Sequence, residues 1–352
     1  EWAPGSHTLF LAGRLQDTLR FTDPDQEALA LSINGRGQVT GLPYPALPTP
    51  DTRYRRHFDA YTAELQQIAR VHHHSLILGG RFQAGTFDTW NELTHFGVLR
   101  FSTATNAAPV LIPSIAKEVT TDFWRASAYA YDQWQVFDPL LLVAGISFDH
   151  LEHPRNIRSP PVSAGEETAE QISPKAGFIW TPTRHTTARF AYTRSLGGVS
   201  FEKSFQLEPS QVAGFNQSFR SLIPESAAGD LDAARFETFG ASLEQQFGSG
   251  TFLGLTAEAL DADAHRWLGD IEVRRSLFGV SSSTVATTPQ SLRYQERSLL
   301  FTLNQLVGRD WAFGLRYRLS KAVLDSDLQA VPTDVAARLG YASPQPHLEA
   351  VL

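Results

Sequence analysis

The sequence predicts an all-β fold, namely an antiparallel up-and-down transmembrane β-barrel, represented in part by about 11 to 12 long strands. Apolar and polar residues alternate with a period of two, which is the spacing of the two faces of a strand. These stretches last about 10 to 18 residues, whereas an ordinary strand has about five or six and a tilted membrane crossing needs about ten. Tight turns also alternate with loops of about twenty to forty residues, a pattern typical of short periplasmic turns and long extracellular loops.

The clearest unit is a hairpin between Gln171 and Arg194. Its apolar side chains occupy even positions from Ile172 to Trp180, and Lys175 lies between them on the opposite face. Alternation resumes after the turn at residues 182–185. One face is therefore apolar and aromatic, and the other needs water or polar partners.

The same alternation predicts eleven strands, and the tail starts a further one at His347. They cover approximately residues 7–21, 54–71, 75–89, 119–137, 140–152, 171–181, 186–194, 235–247, 251–263, 292–307 and 311–325. In the first strand we expect the leucines to face lipid and Arg14 to face the lumen. Long loops are predicted at residues 22–53, 90–118, 153–170, 195–234 and 264–291.

Composition narrows the function classes. The 352-residue chain has no Cys, which excludes disulfides, thiolate zinc sites and a cysteine nucleophile. Its formal net charge of −7 argues against nucleic acid as a partner. There is no nucleophile elbow, phosphate-binding loop or zinc motif, so we expect neither an enzyme nor a cofactor.

A row of basic residues is expected to line the lumen and attract anionic cargo. The row comprises Arg14, Arg81, Arg125, Lys175, Arg189, Arg316 and Arg318, accompanied by the acidic residues Glu64, Asp149, Glu244 and Glu258. The alternative is that these charges pair with each other or with a plug domain, since any barrel lumen is polar.

The loop at residues 195–234 is the candidate ligand-binding loop. Its aromatic and basic residues, Phe201, Phe205, Phe215, Phe219 and Arg220, are suited to stacking on a siderophore or a glycan. Alternatively, the phenylalanines pack the loop onto itself or onto the barrel rim.

Two further groups suggest metal ligands only weakly, and we expect no metal site. In His72-His73-His74 only the first and third side chains share a face of a strand. The alternating group Asp261, Asp263 and His265 is interpreted as solvated side chains rather than an ion site.

Three segments carry a resemblance to a known family. These are Asp132-Gln133-Trp134 running into Asp138-Pro139-Leu140, then Ser173-Pro174-Lys175-Ala176-Gly177, and finally Tyr192-Thr193-Arg194-Ser195. Together they resemble the barrel of TonB-dependent outer-membrane receptors, over about residues 120–247. The resemblance departs after Ser195, where the family usually continues F-x-x-P.

This resemblance implies a protein of the Gram-negative outer membrane, surrounded by lipid, that takes up a siderophore, glycan or similar ligand. Extracellular loops would capture the ligand, and a plug domain would move when the TonB complex pulls on it. Two alternatives stay open: an exporter barrel that follows a tetratricopeptide segment, and a structural or adhesive barrel.

A repeated motif bears on the domain boundaries. W-x-P-x-x-H-T occurs at Trp2 and again at Trp180, where it spans a strand end, a turn and a strand start. By analogy, we expect the chain to begin inside a barrel. Residues 1–352 are then expected to form a single barrel domain that is truncated at both ends.

Overall fold

The computed structural model describes residues 5–24, 26–43, 47–101, 109–199, 205–217, 232–275, 281–308, 310–332 and 347–351. The regular elements of these residues are β-strands. They are β1 (Ser6–Asp23), β2 (Leu29–Ile33), β3 (Val39–Gly41), β4 (Asp51–Val71), β5 (His74–Thr94), β6 (Val98–Leu99), β7 (Val110–Leu111), β8 (Ile115–Phe137), β9 (Leu140–Asn156), β10 (Ser163–Thr183), β11 (Thr186–Leu196), β12 (Gln211–Val212), β13 (Phe215–Asn216), β14 (Arg235–Phe247), β15 (Thr251–Arg275), β16 (Ser281–Val307), β17 (Trp311–Leu328) and β18 (His347–Val351). The described residues include no helical segment with the length and hydropathy of a transmembrane helix.

Twelve of these strands form the wall in the order β1-β4-β5-β8-β9-β10-β11-β14-β15-β16-β17-β18. Each neighbouring pair is antiparallel. Within the described residues β1 pairs with β4 alone and β18 with β17 alone, so this part of the sheet is open. The predicted all-β, up-and-down architecture is confirmed.

The tight turns lie where the alternation breaks in the sequence. Two residues join β4 to β5, β8 to β9 and β10 to β11, and three residues join β14 to β15. Gly250 adopts a φ of 76° in the last of these turns, and His72 adopts a φ of 55° in the first. Because a side chain at positive φ is crowded, glycine suits such a position better than histidine does.

The predicted loop at residues 264–291 was wrong. β15 runs to Arg275 and β16 starts at Ser281, and the two pair throughout, from Thr251↔Gln305 to Arg275↔Ser281. This extension also pairs in parallel with β2, starting at Asp270↔Leu29. A strand beyond the bilayer needs no apolar outward face, so its alternation is weak and its Ser and Thr residues resemble a loop.

The two faces of the wall differ in what they contact. The inner face carries most of the buried side chains and contacts residues 205–217, whereas the outer face exposes large apolar side chains. The exposed set includes Leu65, Leu78, Phe82, Ile146, Phe148, Ile172, Trp180, Leu243, Leu255, Leu299, Phe313, Leu315, Tyr317 and Leu319. From β4 to β17 the predicted apolar face is the outer one.

β1 is the exception, and it corrects two expectations. Its register pairs Arg14 with Tyr61, which places Arg14 on the outer face, where its Nε donates to Asp59 at 2.9 Å. Leu15 instead turns inward and packs in a cluster with Phe58, Phe87 and other residues. The inner face is apolar at this level, so Leu15 is stabilised by packing inside rather than in lipid, whereas Leu9 and Leu19 on the same side of β1 are exposed.

Candidate functional site on the inner wall

Residues 205–217, hereafter the inner segment, cover the inner face of the wall between β4 and β14. The segment contains the short hairpin of β12 and β13. Val212 and Ala213 pack against Tyr129, Tyr131 and Val143 of the wall. A loop that joins β11 to β14 therefore returns into the interior and contacts the predicted lumen-lining row.

A buried ion pair fixes the inner segment to β10. Lys175 Nζ lies 2.8 Å from Glu208 Oε1, and the two side chains are 2% and 9% exposed. Lys175 also donates to the Ser147 hydroxyl at 2.9 Å and to the Tyr131 hydroxyl at 2.7 Å. The Tyr131 hydroxyl in turn donates to Glu208 Oε1 at 2.6 Å. The Lys175 ammonium thereby has three partners, as a buried charge requires.

Glu64 of β4 anchors the backbone of the same segment. Its carboxylate accepts the backbone N–H groups of Leu207 and Glu208 at 2.9 and 3.0 Å. It also accepts the Tyr129 hydroxyl at 2.8 Å. Gln66, two residues further along β4, donates to the Leu207 carbonyl at 2.7 Å. Three hydrogen bonds from two elements thus join the Glu64 carboxylate to the inner segment and to β8.

Cross-strand register explains why these side chains meet. Glu64 pairs with Arg81, Arg81 with Ser127, and Ser127 with Asp149, which forms one polar row across four strands. Because successive residues alternate between faces, every member of such a row points to the inner face. The sequence pattern predicts that Glu64, Arg81 and Asp149 face inward, but which side chains are neighbours depends on the register between strands.

Arg81 is a member of this row, and Arg125 lies beside it, two residues before Ser127 on β8. The two guanidinium groups have different partners. Arg125 Nη2 lies 2.6 Å from Asp149 Oδ1, and both side chains are buried. Arg81 Nη1 donates to Gln206 Oε1 at 2.9 Å. The Nε and Nη2 atoms of Arg81 are buried and have no hydrogen-bond partner among the described residues. Arg81 therefore keeps donor capacity that the inner segment does not use.

Gly145 leaves space for the aromatic ring of Tyr131. The Tyr131 ring lies across Gly145 on β9, and a Cβ at that position would overlap the ring. Gly240 on β14 carries the ring of Phe215 in the same way. These two close approaches let aromatic rings lie flat against the wall.

The remaining candidate residues are spread over the inner face. Arg189 pairs with Glu244 at 2.6 Å, and Arg318 lies 3.9 Å from Glu258. Arg316 is on the same face of β17 as Arg318. Phe205 is exposed and borders a cleft of about 410 Å³ beside β1, whereas Phe215 is partly buried over Gly240. Phe201, Phe219 and Arg220 lie outside the described residues.

Sequence reasoning missed Glu208 and the hydroxyl of Tyr131 as members of the cluster. Glu208 belongs to a loop without periodicity, so no signal marks its partner. Tyr131 does follow the alternation on β8, and its position on the polar face was the available signal.

The residues weighed as metal ligands have other contacts. His74 Nδ1 lies 2.7 Å from Asp132 Oδ2, and Asp261 pairs with Arg297 at 2.8 Å on the outer face. The described residues contain no group of three or more His, Cys, Asp or Glu side chains placed to hold a metal ion.

One titrating group lies outside the wall strands, between the inner segment and β14. Burial raises the pKa of the Asp232 carboxyl, and the Arg158 guanidinium 2.8 Å away opposes that change. Arg158 thereby ties the stretch before β14 to the loop that follows β9.

A long-stranded antiparallel wall, apolar outside and polar inside, defines a protein of the outer-membrane barrel class. The family model described as "TonB dependent receptor-like, beta-barrel" matches residues 4–263. The chain therefore belongs to the TonB-dependent receptor β-barrel family, which is a family of receptors for transport rather than of enzymes. Barrels of this family reside in the outer membrane of Gram-negative bacteria. No match was found among curated proteins.

Solved structures with a similar chain path include three siderophore receptors. The siderophore receptor PiuA from Acinetobacter baumannii is 14% identical, with a TM-score of 0.48 over 93% of this chain and 45% of that one. The ferric enterobactin receptor PfeA from Pseudomonas aeruginosa is 12% identical, with a TM-score of 0.42 over 92% and 52%. The ferric yersiniabactin uptake receptor FyuA from Yersinia pestis is 11% identical, with a TM-score of 0.40 over 94% and 52%. The chain thus spans about half the length of these receptors, and its family membership rests on the family model.

Proposed function

We propose that this chain forms the wall of an outer-membrane receptor that imports a siderophore, a glycan or a similar solute. Membership of the TonB-dependent receptor family supports the receptor class. It favours this class over the two alternatives, an exporter barrel and an adhesive barrel. We further propose that residues 1–352 belong to one barrel domain and that the TonB complex acts on it through a plug domain.

The observation that carries this proposal is the opposite chemistry of the two faces. Trp134, Trp180 and Trp311 are exposed on the outer face close to the tight turns. Trp124 lies on the same face of β8, ten residues before Trp134. Ten strand residues at about 3.3 Å each, tilted by about 40°, span about 25 Å, which is the height of the apolar band of a membrane barrel. Tryptophan is enriched at both edges of such a band.

The inner face has the composition of a path for polar solutes. Arg81, Arg125, Lys175, Arg189, Arg316 and Arg318 lie on it, and the exposed ring of Phe205 borders the cleft beside β1. We propose these residues as contacts for an anionic solute and the loop at residues 195–234 as the site of its capture.

Location and transport are tested separately. The full chain is expressed with an outer-membrane signal in a Gram-negative host. We expect it in the outer-membrane fraction, from which detergent extracts it, and not among the water-soluble proteins. A chain that stays soluble and monomeric without detergent would overturn the membrane assignment.

Import is then measured as uptake of a panel of labelled ferric siderophores and labelled glycans into cells with and without a functional TonB complex. We expect uptake of one panel member that depends on both this protein and TonB. Equal uptake without TonB, or secretion of a polysaccharide instead, would overturn the receptor proposal.

A further inference from the structure

We propose that Lys175 and Tyr131 form a carboxylate-binding subsite on the inner wall, and that Glu208 occupies this subsite in place of an anionic group of the cargo. This inference rests on the proposed function, because it assumes that a solute passes along the inner face. It assigns the subsite a ligand class, namely a solute that carries a carboxylate.

The Glu208 carboxylate shows what the subsite binds. Its Oε1 is reached by the Lys175 ammonium at 2.8 Å and by the Tyr131 hydroxyl at 2.6 Å. One cation and one neutral donor on the same oxygen match the charge-assisted hydrogen bonds by which proteins hold carboxylates. A free carboxylate of similar size can satisfy the same two donors.

Wall residues hold both donors, and Gln217 of the inner segment adds one hydrogen bond to the Tyr131 hydroxyl at 2.9 Å. Lys175 is held by the Ser147 hydroxyl at 2.9 Å, and its Nζ lies 5.0 Å from the centre of the Tyr131 ring. The register Tyr131↔Gly145↔Lys175 places the two side chains across β9 from each other, and Gly145 leaves room for the ring. Donors carried by paired strands are preorganised, so vacating the subsite does not dismantle it.

Arg81 gives an independent indication that a ligand belongs here. Its side chain is buried and contacts Gln206, two residues before Glu208. Its Nε and Nη2 atoms have no partner among the described residues, although a buried guanidinium normally has its donors satisfied. These donors are available to a second acceptor on a solute that displaces the inner segment.

Among the described residues, side chains of Glu64, Gln66 and Lys175 hold the inner segment to the wall, and none of its strands pairs with a wall strand, so a solute that replaces these contacts can displace it. Its own β-pairing is limited to Gln211↔Asn216 and Val212↔Phe215 among the described residues. Its buried apolar contribution to the wall cluster comes from Val212 and Ala213. Glu208 therefore acts as an internal competitor, which raises the cargo concentration needed to fill the subsite.

The test uses sodium acetate as the probe and the thermal midpoint of the full chain in detergent as the readout, with sodium chloride as the salt control. Glu208→Ala vacates the subsite, so acetate is expected to raise its midpoint saturably while wild type does not respond. The double variant Lys175→Ala/Glu208→Ala is expected to lose that response. Asp59→Ala, which removes the carboxylate paired with Arg14 on the outer face, is the matched control and is expected not to respond.

A second variant keeps the test decisive if Glu208→Ala does not fold. Glu208→Ser removes the carboxylate with less loss of polarity, and it is expected to bind acetate as well. Glu208→Gln fills the subsite with an amide, so its apparent acetate affinity is expected to be weaker than that of the serine variant by about tenfold or more. An acetate response that is absent, or equal with and without Lys175, would overturn the proposal.

Binding in detergent and uptake in cells fail independently. Saturable acetate binding by the Glu208 variants without any TonB-dependent uptake would overturn the proposed function and support the subsite. Uptake with no acetate response would support the proposed function and overturn the subsite.

Discussion

Among the described residues, the wall has a region that the inner segment covers and a bare region that no segment covers, and the comparison shows what fixes the inner charges. On β8 to β10 the inner segment buries Lys175 and its partners. On β17 residues 311–319 are exposed on both faces, and Arg318 lies 3.9 Å from a half-exposed Glu258. The strands alternate in the same way in both regions. The presence of a covering segment, not the strand pattern, therefore decides whether a lumen charge is structural.

The largest expected effect is the loss of the buried ion pair. Lys175→Ala leaves Glu208 and Tyr131 without their cation and is expected to destabilise the protein by about 3–5 kcal/mol. Arg318→Ala in the bare region is expected to cost about 1 kcal/mol or less, because the pair is long and solvated. Urea unfolding in detergent or in lipid vesicles measures both. Equal losses would remove the distinction between the two regions.

The next effect compares the outer and inner faces within the bare region. Leu315→Arg places a charge on the outer face near the middle of the apolar band and is expected to cost about 2–4 kcal/mol. Ser298→Arg on the adjacent strand faces inward, opposite Glu258, and serves as the matched control with little expected cost. Folding yield and stability in phospholipid vesicles are the measurements. If the control loses as much stability, the assignment of lipid to the outer face is wrong.

A smaller effect tests glycine in each region. Gly145→Ala forces the Tyr131 ring to move and is expected to cost about 1–3 kcal/mol. Gly314→Ala meets only the end of the Asn304 side chain and is expected to be neutral or to stabilise by about 0.5 kcal/mol. Thermal unfolding of the two variants, compared at equal detergent concentration, shows whether the covered region alone resists a methyl group.

The smallest effect concerns the turn between β4 and β5. His72 adopts a φ of 55°, so His72→Gly is expected to stabilise the protein by about 1 kcal/mol. His73→Gly is the matched control and is expected to give no gain, because His73 does not share the positive φ. A gain for both variants, read from the urea midpoint, would indicate that the whole turn rather than this one angle is strained.

Particular residues show how far the sequence predicts this structure. The alternation of Ile172, Phe178 and Trp180 correctly placed the outer face of β10, because lipid requires a continuous apolar side. The same reasoning failed for Arg14, because apolar side chains such as Leu15 and Phe58 also pack on the inner face of the wall. An apolar face indicates that its side chains contact a nonpolar environment. It does not show whether that environment is lipid or the protein interior.

Only the residues that the wall strands contribute to the candidate site could be predicted from the sequence. Lys175 and Arg81 follow from the period of two, since the polar face had to be the inner one. Glu208 does not, because its contact with Lys175 joins a loop residue to a strand residue 33 positions away in the chain. Long-range pairing of this kind leaves no local pattern in the sequence.

The parallel pairing of β2 with β15 bears on how the wall assembles. β2 follows β1 at one end of the wall, whereas β15 lies near the other end, and the paired residues Leu29 and Asp270 are roughly 240 positions apart in the chain. Hairpins between sequential strands close short loops, so we expect them to form first. The β2–β15 contact can form only when the sheet has curled far enough to bring its ends together. We therefore expect this contact to form late in folding. Once formed, it stabilises the curvature of the wall.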